Sequence, residues 1–288
     1  MLTKNKQSSS VLCYSPESRI RHPLKLFREM WRDLLDSREL AWRLIVRDIS
    51  AQYRQTFLGY FWAIFPPLVI CMVFILLNAS RVIQIEDIDI PYAAYVFIGT
   101  VFWQVFVDAL NVPLKVVKES KAILTKVNFP RESLILSGIG QVLFSFGIKC
   151  ILLIGVLLLF RIPVKWTIVF IPLPLIGLLL LGTMLGIFLL PLGLLYKDVQ
   201  SALLIATSGL VFVTPVAYPS TMGGTIGKIM QVNPVTPLLE GIKHLILRGV
   251  PADLSSIFLI FLLTIFFLFL GWVLYRLALP IVIERIGA

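Results

Sequence analysis

Six segments of this sequence are long and apolar enough to cross a membrane as helices. A membrane-spanning helix needs about 20 mostly apolar residues, since lipid offers no partner to an open backbone polar group. Only 15% of the 288 residues are charged, which is too few for a chain with a water-soluble surface. The sequence therefore predicts an all-α integral membrane protein with six transmembrane helices, at residues 60–79, 92–112, 133–160, 166–195, 199–217 and 254–283.

Lys and Arg residues gather on one side of these spans. Eleven of them precede Tyr60, and five more lie in the loop between the second and third spans. The loop after the first span is acidic instead, with Glu86, Asp87 and Asp89. Because cytoplasmic loops carry the excess of positive charge, we place both termini in the cytoplasm. The net charge of +10 then reflects topology and contact with anionic lipid, and we expect no nucleic-acid partner.

The spans divide the chain into residues 1–59, 60–283 and 284–288. The first part is predicted to be a cytoplasmic tail with amphipathic interface helices, the second the six-helix domain, and the third a cytoplasmic end. Two stretches before Tyr60 have apolar residues at helical spacing, and the second also has a basic face with Arg43, Arg47 and Arg54. Such a helix favours the membrane interface, and a solvated helix that packs on a partner protein is the alternative.

The segment 218–253 lies on the outer side and is partly apolar. One face of a short helix there would carry Leu238, Leu239, Ile242, Leu245 and Ile246. This helix is too short to span, so we predict a re-entrant or interfacial segment. Irregular backbone at membrane depth is tolerated where it is buried in protein or lines a water-filled path, so the segment is a candidate outer gate.

Gly182 and Gly186 form a Gly-x-x-x-Gly pair in the fourth span. Small residues at this spacing let two helices approach closely. We favour close packing within the subunit over a dimer contact.

Enzyme and metal signals are missing from the sequence. The two histidines, His22 and His244, are predicted on opposite sides of the membrane. Residues 223–229 faintly resemble a phosphate-binding loop, but Met222 stands where the first glycine belongs and Ile229 where Ser or Thr must reach magnesium. We therefore expect a transport subunit rather than an enzyme, with no catalytic residue, no metal site and no cofactor of its own.

Asp108 and Lys149 are the clear ionisable residues within the predicted spans. Such groups are costly in lipid and are functional candidates. One interpretation is structural, with Lys149 paired to a carboxylate or a helix-end carbonyl inside the bundle. The other is a proton-coupled carrier, although two isolated ionisable groups provide few sites for a proton relay.

Aromatic residues crowd the first two spans and their ends. Rings of this kind are typical of the belt at the membrane interface. They also stack on the apolar C–H faces of sugars, so a glycan channel would use them. Both interpretations apply to the channel-lining candidates Phe57, Tyr60, Trp62, Phe65, Tyr95 and Phe102.

Four segments together resemble the membrane subunits of polysaccharide-export ABC transporters, the group that serves O-antigen, teichoic acid and capsular glycans. They are residues 47–68, 124–131, 196–199 and 214–219, the last followed by Asn233-Pro234 and Gly249. Lys197 stands where the family more often has Arg. The similarity runs from about Arg38 to Leu279, so nothing is transferred to the N-terminal extension before Arg38.

This resemblance implies a location in a bacterial inner membrane and a homodimer that works with two copies of a separate ATPase subunit. ATP and magnesium would bind to that partner, and a lipid-linked glycan would be exported through a channel at or near the dimer interface. The loop 113–132 would couple to the ATPase through Glu119, Lys121, Thr125, Lys126, Phe129, Pro130 and Arg131.

The resemblance also implies roles at the two membrane faces. An interface helix would meet the lipid headgroup, and an outer gate would close the channel. The headgroup candidates are Arg47, Asp48, Tyr53 and Arg54, and the gate candidates are Pro215, Tyr218, Pro219, Asn233, Pro234 and Pro237. The alternative functions are a permease for another cargo, such as a drug or peptide, and the proton-coupled carrier.

Overall fold

The computed structural model describes residues 23–54, 57, 59–80, 90–124, 129–220, 224–249 and 253–287. Within these ranges the regular structure is entirely helical, without a strand. The helices are α1 (Pro23–Arg54), α2 (Phe61–Ala79), α3 (Tyr92–Glu119), α4 (Lys121–Leu124), α5 (Glu132–Leu159), α6 (Pro172–Leu195), α7 (Asp198–Leu210), α8 (Gly224–Val232), α9 (Val235–Leu247) and α10 (Leu254–Gly287). Short 3-10 turns lie at Trp166–Phe170 and Val211–Val213.

Five helical segments within the described ranges are long and apolar enough to cross a membrane. They are Phe61–Ala79, Tyr92–Glu119, Glu132–Leu159, Trp166–Leu195 and Leu254–Leu279. The prediction of an all-α protein with several membrane-spanning helices is thereby confirmed.

The predicted fifth span, 199–217, is a shorter apolar helix over Asp198–Val213. It ends because Thr214 precedes a proline, which disfavours helical geometry, and Thr214 is extended at φ −125° and ψ 141°. At about 1.5 Å per residue, such a helix falls short of the hydrocarbon core of about 30 Å. The count of six spans therefore stays a prediction.

Helix α3 is the centre of the bundle. Protein buries 83% of its apolar window, against 17% for α2, 22% for α5 and 17% for α10. Helix α3 packs on α2, α5, α6 and α9, and these neighbours separate it from lipid. A shielded helix can carry polar side chains that a lipid-facing one cannot.

The α3–α6 contact depends on the two glycines singled out in the sequence. A Cβ atom at Gly182 would lie 2.6 Å from the carbonyl oxygen of Phe106, and one at Gly186 would overlap the carbonyl oxygen of Leu110. The backbones of α6 and α3 can meet this closely because neither glycine has a side chain. The prediction of close packing within the subunit is confirmed.

Helix α1 is one continuous helix of 32 residues, although the sequence suggested two amphipathic stretches. Continuity follows from the composition, since no Gly or Pro interrupts residues 24–54. It packs mainly on α5, and its buried residues include Met30, Ser37, Ala41 and Leu44. A second apolar side stays exposed and consists of Trp31, Leu35, Trp42 and Val46.

Candidate functional site

A cleft of about 570 Å³ runs between α2, α3 and α7. Its rims are apolar and exposed, with Val69 and Val73 on α2 and Leu204 and Phe212 at the α7 side. These rims are open at the surface of the protomer, so the cleft is a groove along the bundle rather than a closed cavity.

The floor of the groove is a polar stripe on α3. Gln104, Asp108, Asn111 and Lys115 all line the groove, at helical intervals of four, three and four residues that place them on one face. The Asn111 amide nitrogen donates to the carbonyl oxygen of Val107 at 2.8 Å. Gln200, Thr207 and Ser208 of α7 add polar groups on the facing wall.

Asp108 and Lys149 form an ion pair across α3 and α5. The Nζ atom of Lys149 donates to Oδ2 of Asp108 at 2.7 Å. Lys149 is buried, whereas the Asp108 side chain is 34% exposed and borders the groove. The interpretation in which Lys149 pairs with a carboxylate inside the bundle is confirmed.

The predicted ATPase-coupling residues lie at one end of the bundle. Glu119 ends α3 and Lys121 begins α4, and both are exposed. Phe129 packs partly against the core, and the Pro130 carbonyl oxygen accepts from the Ser133 hydroxyl at 2.7 Å. The predicted residues Thr125 and Lys126 lie outside the described residues.

A buried polar junction connects this loop to α1 and α10. Tyr275 of α10 donates from its hydroxyl to the carbonyl oxygen of Arg131 at 2.9 Å. Arg276 lies 3.5 Å from Oε1 of Glu132 and also bonds the carboxylate of Asp33 on α1. Sequence reasoning missed Arg276 and Glu132, because their 144-residue separation hides the contact and neither forms a local motif.

The predicted headgroup residues lie near the C-terminal end of α1. Arg47 is exposed and its Nη2 lies 2.7 Å from Oδ1 of Asp48. Asp48 also accepts from the Gln141 amide at 3.1 Å, so this carboxylate fastens α1 to α5. Arg54 is exposed, and the side chain of Tyr53 is outside the described part of the chain.

The predicted gate region is held together by a buried lysine that sequence reasoning did not single out. The Nζ atom of Lys243 on α9 donates to the carbonyl oxygens of Pro215 at 2.6 Å and Val216 at 2.7 Å. The same atom lies 3.8 Å from the centre of the Tyr95 ring. Burial lowers the pKa of Lys243 to about 7, and the nearby Glu240 carboxylate opposes this shift. Gly99 of α3 makes room for the segment, because a Cβ there would overlap the Val216 carbonyl oxygen.

Further hydrogen bonds brace the same layer, and we call residues 214–220 together with α9 the outer bracket. The Asn233 amide donates to the Thr214 hydroxyl at 2.9 Å, and the Ser220 backbone N–H donates to Glu240 at 2.9 Å. Tyr218 donates from its hydroxyl to a backbone carbonyl oxygen, that of Phe212.

The predicted gate prolines frame the same layer. Pro215 is buried and Pro219 is half-buried, while Pro234 is exposed immediately before α9 and Pro237 lies in the first turn of that helix. Helix α9 is largely buried against α3, α6 and α10. Its depth in the membrane, and so the re-entrant path, stays a prediction.

The six aromatic channel candidates fall into two groups. Tyr95 and Phe102 are buried in the protomer, and the Phe102 ring lies 5.5 Å from that of Phe146. The other four are exposed, namely Phe57, Tyr60, Trp62 and Phe65. The groove between α2, α3 and α7 is lined by other residues, so contact of these six with a cargo stays a prediction.

The sequence of the chain is similar to those of known transport proteins. Residues 39–247 match the family model described as ABC-2 type transporter. The chain is 26% identical over 212 residues to the O-antigen export system permease protein RfbA of Myxococcus xanthus, which covers 72% of this chain and 80% of that relative. It is 25% identical over 208 residues to a Klebsiella pneumoniae protein of the same name, covering 71% and 78%. The family match spans more than half of the chain and contains α3, the groove and the outer bracket, and the protein therefore belongs to the ABC-2 type transporter family.

Proposed function

We propose that this protein is the permease subunit of an ATP-driven exporter of lipid-linked polysaccharide, with O-antigen as its cargo. The cargo would move from the cytoplasmic leaflet of a bacterial inner membrane to the periplasm. The observation that carries the proposal is the polar stripe of Gln104, Asp108 and Asn111 along the floor of a groove with apolar rims. Polar groups at membrane depth mark a hydrophilic pathway. The names of the relatives in Myxococcus and Klebsiella support the choice of cargo.

The active unit in this proposal is a homodimer. The groove is open along α2 and α7, whose exposed residues include Val73 and Leu204. A second copy that faces this side would turn two grooves into one channel with an all-protein wall. In the dimer, α7 and the irregular segment after it would form the fifth of the six spans, because irregular backbone is tolerated where it lines a water-filled path. Both termini would then face the cytoplasm.

Energy would come from two copies of a separate ATPase subunit that binds ATP and magnesium. Glu119 and Lys121 are exposed at the end of the bundle where the basic loop lies, and they would contact that partner. Phe129 and Arg131 would transmit the motion, since Arg131 is bonded to α10 and its neighbour Glu132 lies beside Arg276. Closure of the ATPases would in this way reach α1, α5 and α10 together.

The lipid carrier would reach the groove by way of α1. Its exposed apolar side has Trp31 and Trp42, which suit the membrane interface, and Arg47 and Arg54 are exposed near its end. Arginine binds phosphate groups through a planar set of N–H donors. The end of α1 would therefore receive the charged headgroup of the lipid-linked glycan.

The direct test is reconstitution of the purified chain with its partner ATPase in lipid vesicles. Lipid-linked polysaccharide extracted from the source bacterium is added, and its transfer across the membrane is measured with and without ATP. We expect transfer that needs ATP and the ATPase. Transfer driven by a proton gradient without ATP would establish the carrier function instead. ATP-dependent transfer of drugs or peptides, but not of glycan, would also overturn the proposal.

The coupling role of the loop is tested by the double variant Phe129→Ala, Arg131→Ala. We expect the complex to hydrolyse ATP while export falls at least about fivefold, since a coupling free energy between two sites is typically about 1–3 kcal/mol. Export and ATP hydrolysis are measured in the same vesicles, with Arg38→Ala as the basic-residue control. Unchanged export per ATP hydrolysed in the double variant would refute the contact.

A further inference from the structure

In the Asp108–Lys149 pair, the carboxylate borders the groove and the ammonium is buried behind it. The Lys149 side chain is 3% exposed and reaches Asp108 from α5, whereas Asp108 is 34% exposed and borders the groove. The ammonium engages Oδ2 of Asp108. The other carboxylate oxygen accepts no hydrogen bond from the residues that the structure describes. The pair thus presents an acceptor to the groove and keeps its donor on the protein side.

Stability alone gives little reason for this arrangement. Removal of two charges from water is costly, and apolar residues of similar volume often stabilise a fold as well as a buried ion pair does. The α3–α5 contact has close apolar packing nearby, where Val112 fills the space beside Gly138. Apolar packing therefore contributes to this contact in addition to the ion pair.

Gln104 lies one helical turn from Asp108 and lines the same groove. The residue is 8% exposed, and its amide makes no hydrogen bond with the residues that the structure describes. The amide atoms are not among the buried side-chain atoms without a partner, so the amide is open to the groove. The two residues are separated by about 6 Å along the helix axis, at about 1.5 Å of rise per residue. They form a donor-and-acceptor set with open bonding capacity on the groove floor.

The ligand that suits this set is a sugar ring. Neighbouring hydroxyl groups of a sugar can donate to the carboxylate while one of them accepts from the amide. Phe212 lines the groove from the α7 side and is 46% exposed, so it offers an aromatic surface to the C–H face of a ring. Because Lys149 neutralises Asp108, a neutral polymer meets strong acceptors without a net charge. Several contacts of modest strength let a polymer be guided and still released.

We propose that Gln104 and Asp108 form a subsite for the sugar hydroxyl groups of the transported glycan, and that Lys149 is the buried counter-ion that positions Asp108. The inference rests on the proposed function, because it needs glycan to pass along this groove. It adds the residues that bind the polymer and the chemical group that they recognise.

The test replaces both charges together, because removal of one would leave the other buried without a partner. The variant Asp108→Asn, Lys149→Met keeps the sizes of the side chains and removes the charged acceptor. It is produced in the source bacterium in place of the native chain, and surface polysaccharide and the amount of complex in the membrane are measured. We expect a normal amount of complex and about tenfold less surface polysaccharide, since a hydrogen bond to a charged group is lost.

The matched control is Arg32→Met, Asp36→Asn, which neutralises an exposed ion pair on α1, and its export should equal that of the native chain. A purely structural pair predicts normal export in Asp108→Asn, Lys149→Met, and that result would overturn the inference.

If this variant fails to accumulate, Gln104→Met decides the matter, because it leaves the ion pair intact. Reduced export by Gln104→Met in a normally assembled complex supports the subsite, and full export rejects it. Failure of the subsite is distinguished from failure of the proposed function by vesicles that contain the native chain. Absence of glycan transfer in those vesicles would reject the proposed function itself.

Discussion

Replacement of Gly186 by valine is expected to lower the yield of folded protein in the membrane markedly. A Cβ at this position would overlap the carbonyl oxygen of Leu110 and lie 2.8 Å from Cγ of Pro113. Backbone atoms cannot turn aside as a flexible side chain can, so α6 would have to separate from the central helix. Overpacking of a core commonly costs about 1–3 kcal/mol and occasionally more, a large share of a total stability of about 5–15 kcal/mol. The measurement is the monodisperse fraction in size-exclusion chromatography after detergent extraction.

The control for this prediction is Gly155→Val on α5. No atom lies within 4 Å of the Cβ that this change would add, so the variant should behave like the native chain. The comparison keeps the substitution constant and varies only what surrounds it. Equal yields of native protein and Gly186→Val would show that α3 and α6 do not pack as the structure has them.

The variant Lys243→Met should loosen the outer bracket. The change leaves the carbonyl oxygens of Pro215 and Val216 without their donor and removes the cation above the Tyr95 ring. Each unpaired buried carbonyl costs about 1–3 kcal/mol, so states in which the segment detaches become at least about tenfold more populated. The readout is the labelling rate of a cysteine at Ala217, which is fully buried in the native fold, by a membrane-impermeant maleimide. Native cysteines are replaced beforehand.

Lys228→Met provides the comparison for the bracket, because this lysine of α8 is exposed. In the Lys228→Met variant, the cysteine that replaces Ala217 should be labelled at the same rate as in the chain that has native Lys228 and Lys243. If Lys243→Met labels no faster than Lys228→Met, the lysine does not hold the segment, and the bracket depends on Asn233 and Glu240 instead.

The sequence was sufficient for the features that depend on local pattern. Apolar length identified the five long spans, and the Gly182–Gly186 spacing pointed to close packing inside the subunit. Helix α1 was found as amphipathic, although its continuity was missed because the polar run at residues 36–39 interrupts the apolar pattern. One side of this single helix packs on α5 and another remains exposed.

Other parts of the site depend on contacts between distant segments. Asp108 and Lys149 were each conspicuous in an apolar span, but the direction in which each one points follows only from the packing of α3 on α5. Lys243 has no local signature in the sequence, and the carbonyl oxygens that bind its buried ammonium come from another segment. The groove itself has no local signature, since its polar residues come from α3 and α7, which are far apart in sequence.

The burial of α3 also bears on how the chain is made. This helix is the least apolar of the five long spans, and it contains Gln104, Asp108 and Asn111. A segment like this inserts weakly when it leaves the ribosome, because lipid penalises each polar group. The residue that neutralises Asp108 is Lys149 of α5, and the helix that packs on α3 through Gly182 and Gly186 is α6. Both α5 and α6 are synthesised after α3. Stable integration of α3 is therefore completed only after α5 and α6 have emerged, and truncated chains that end before Lys149 should be prone to degradation.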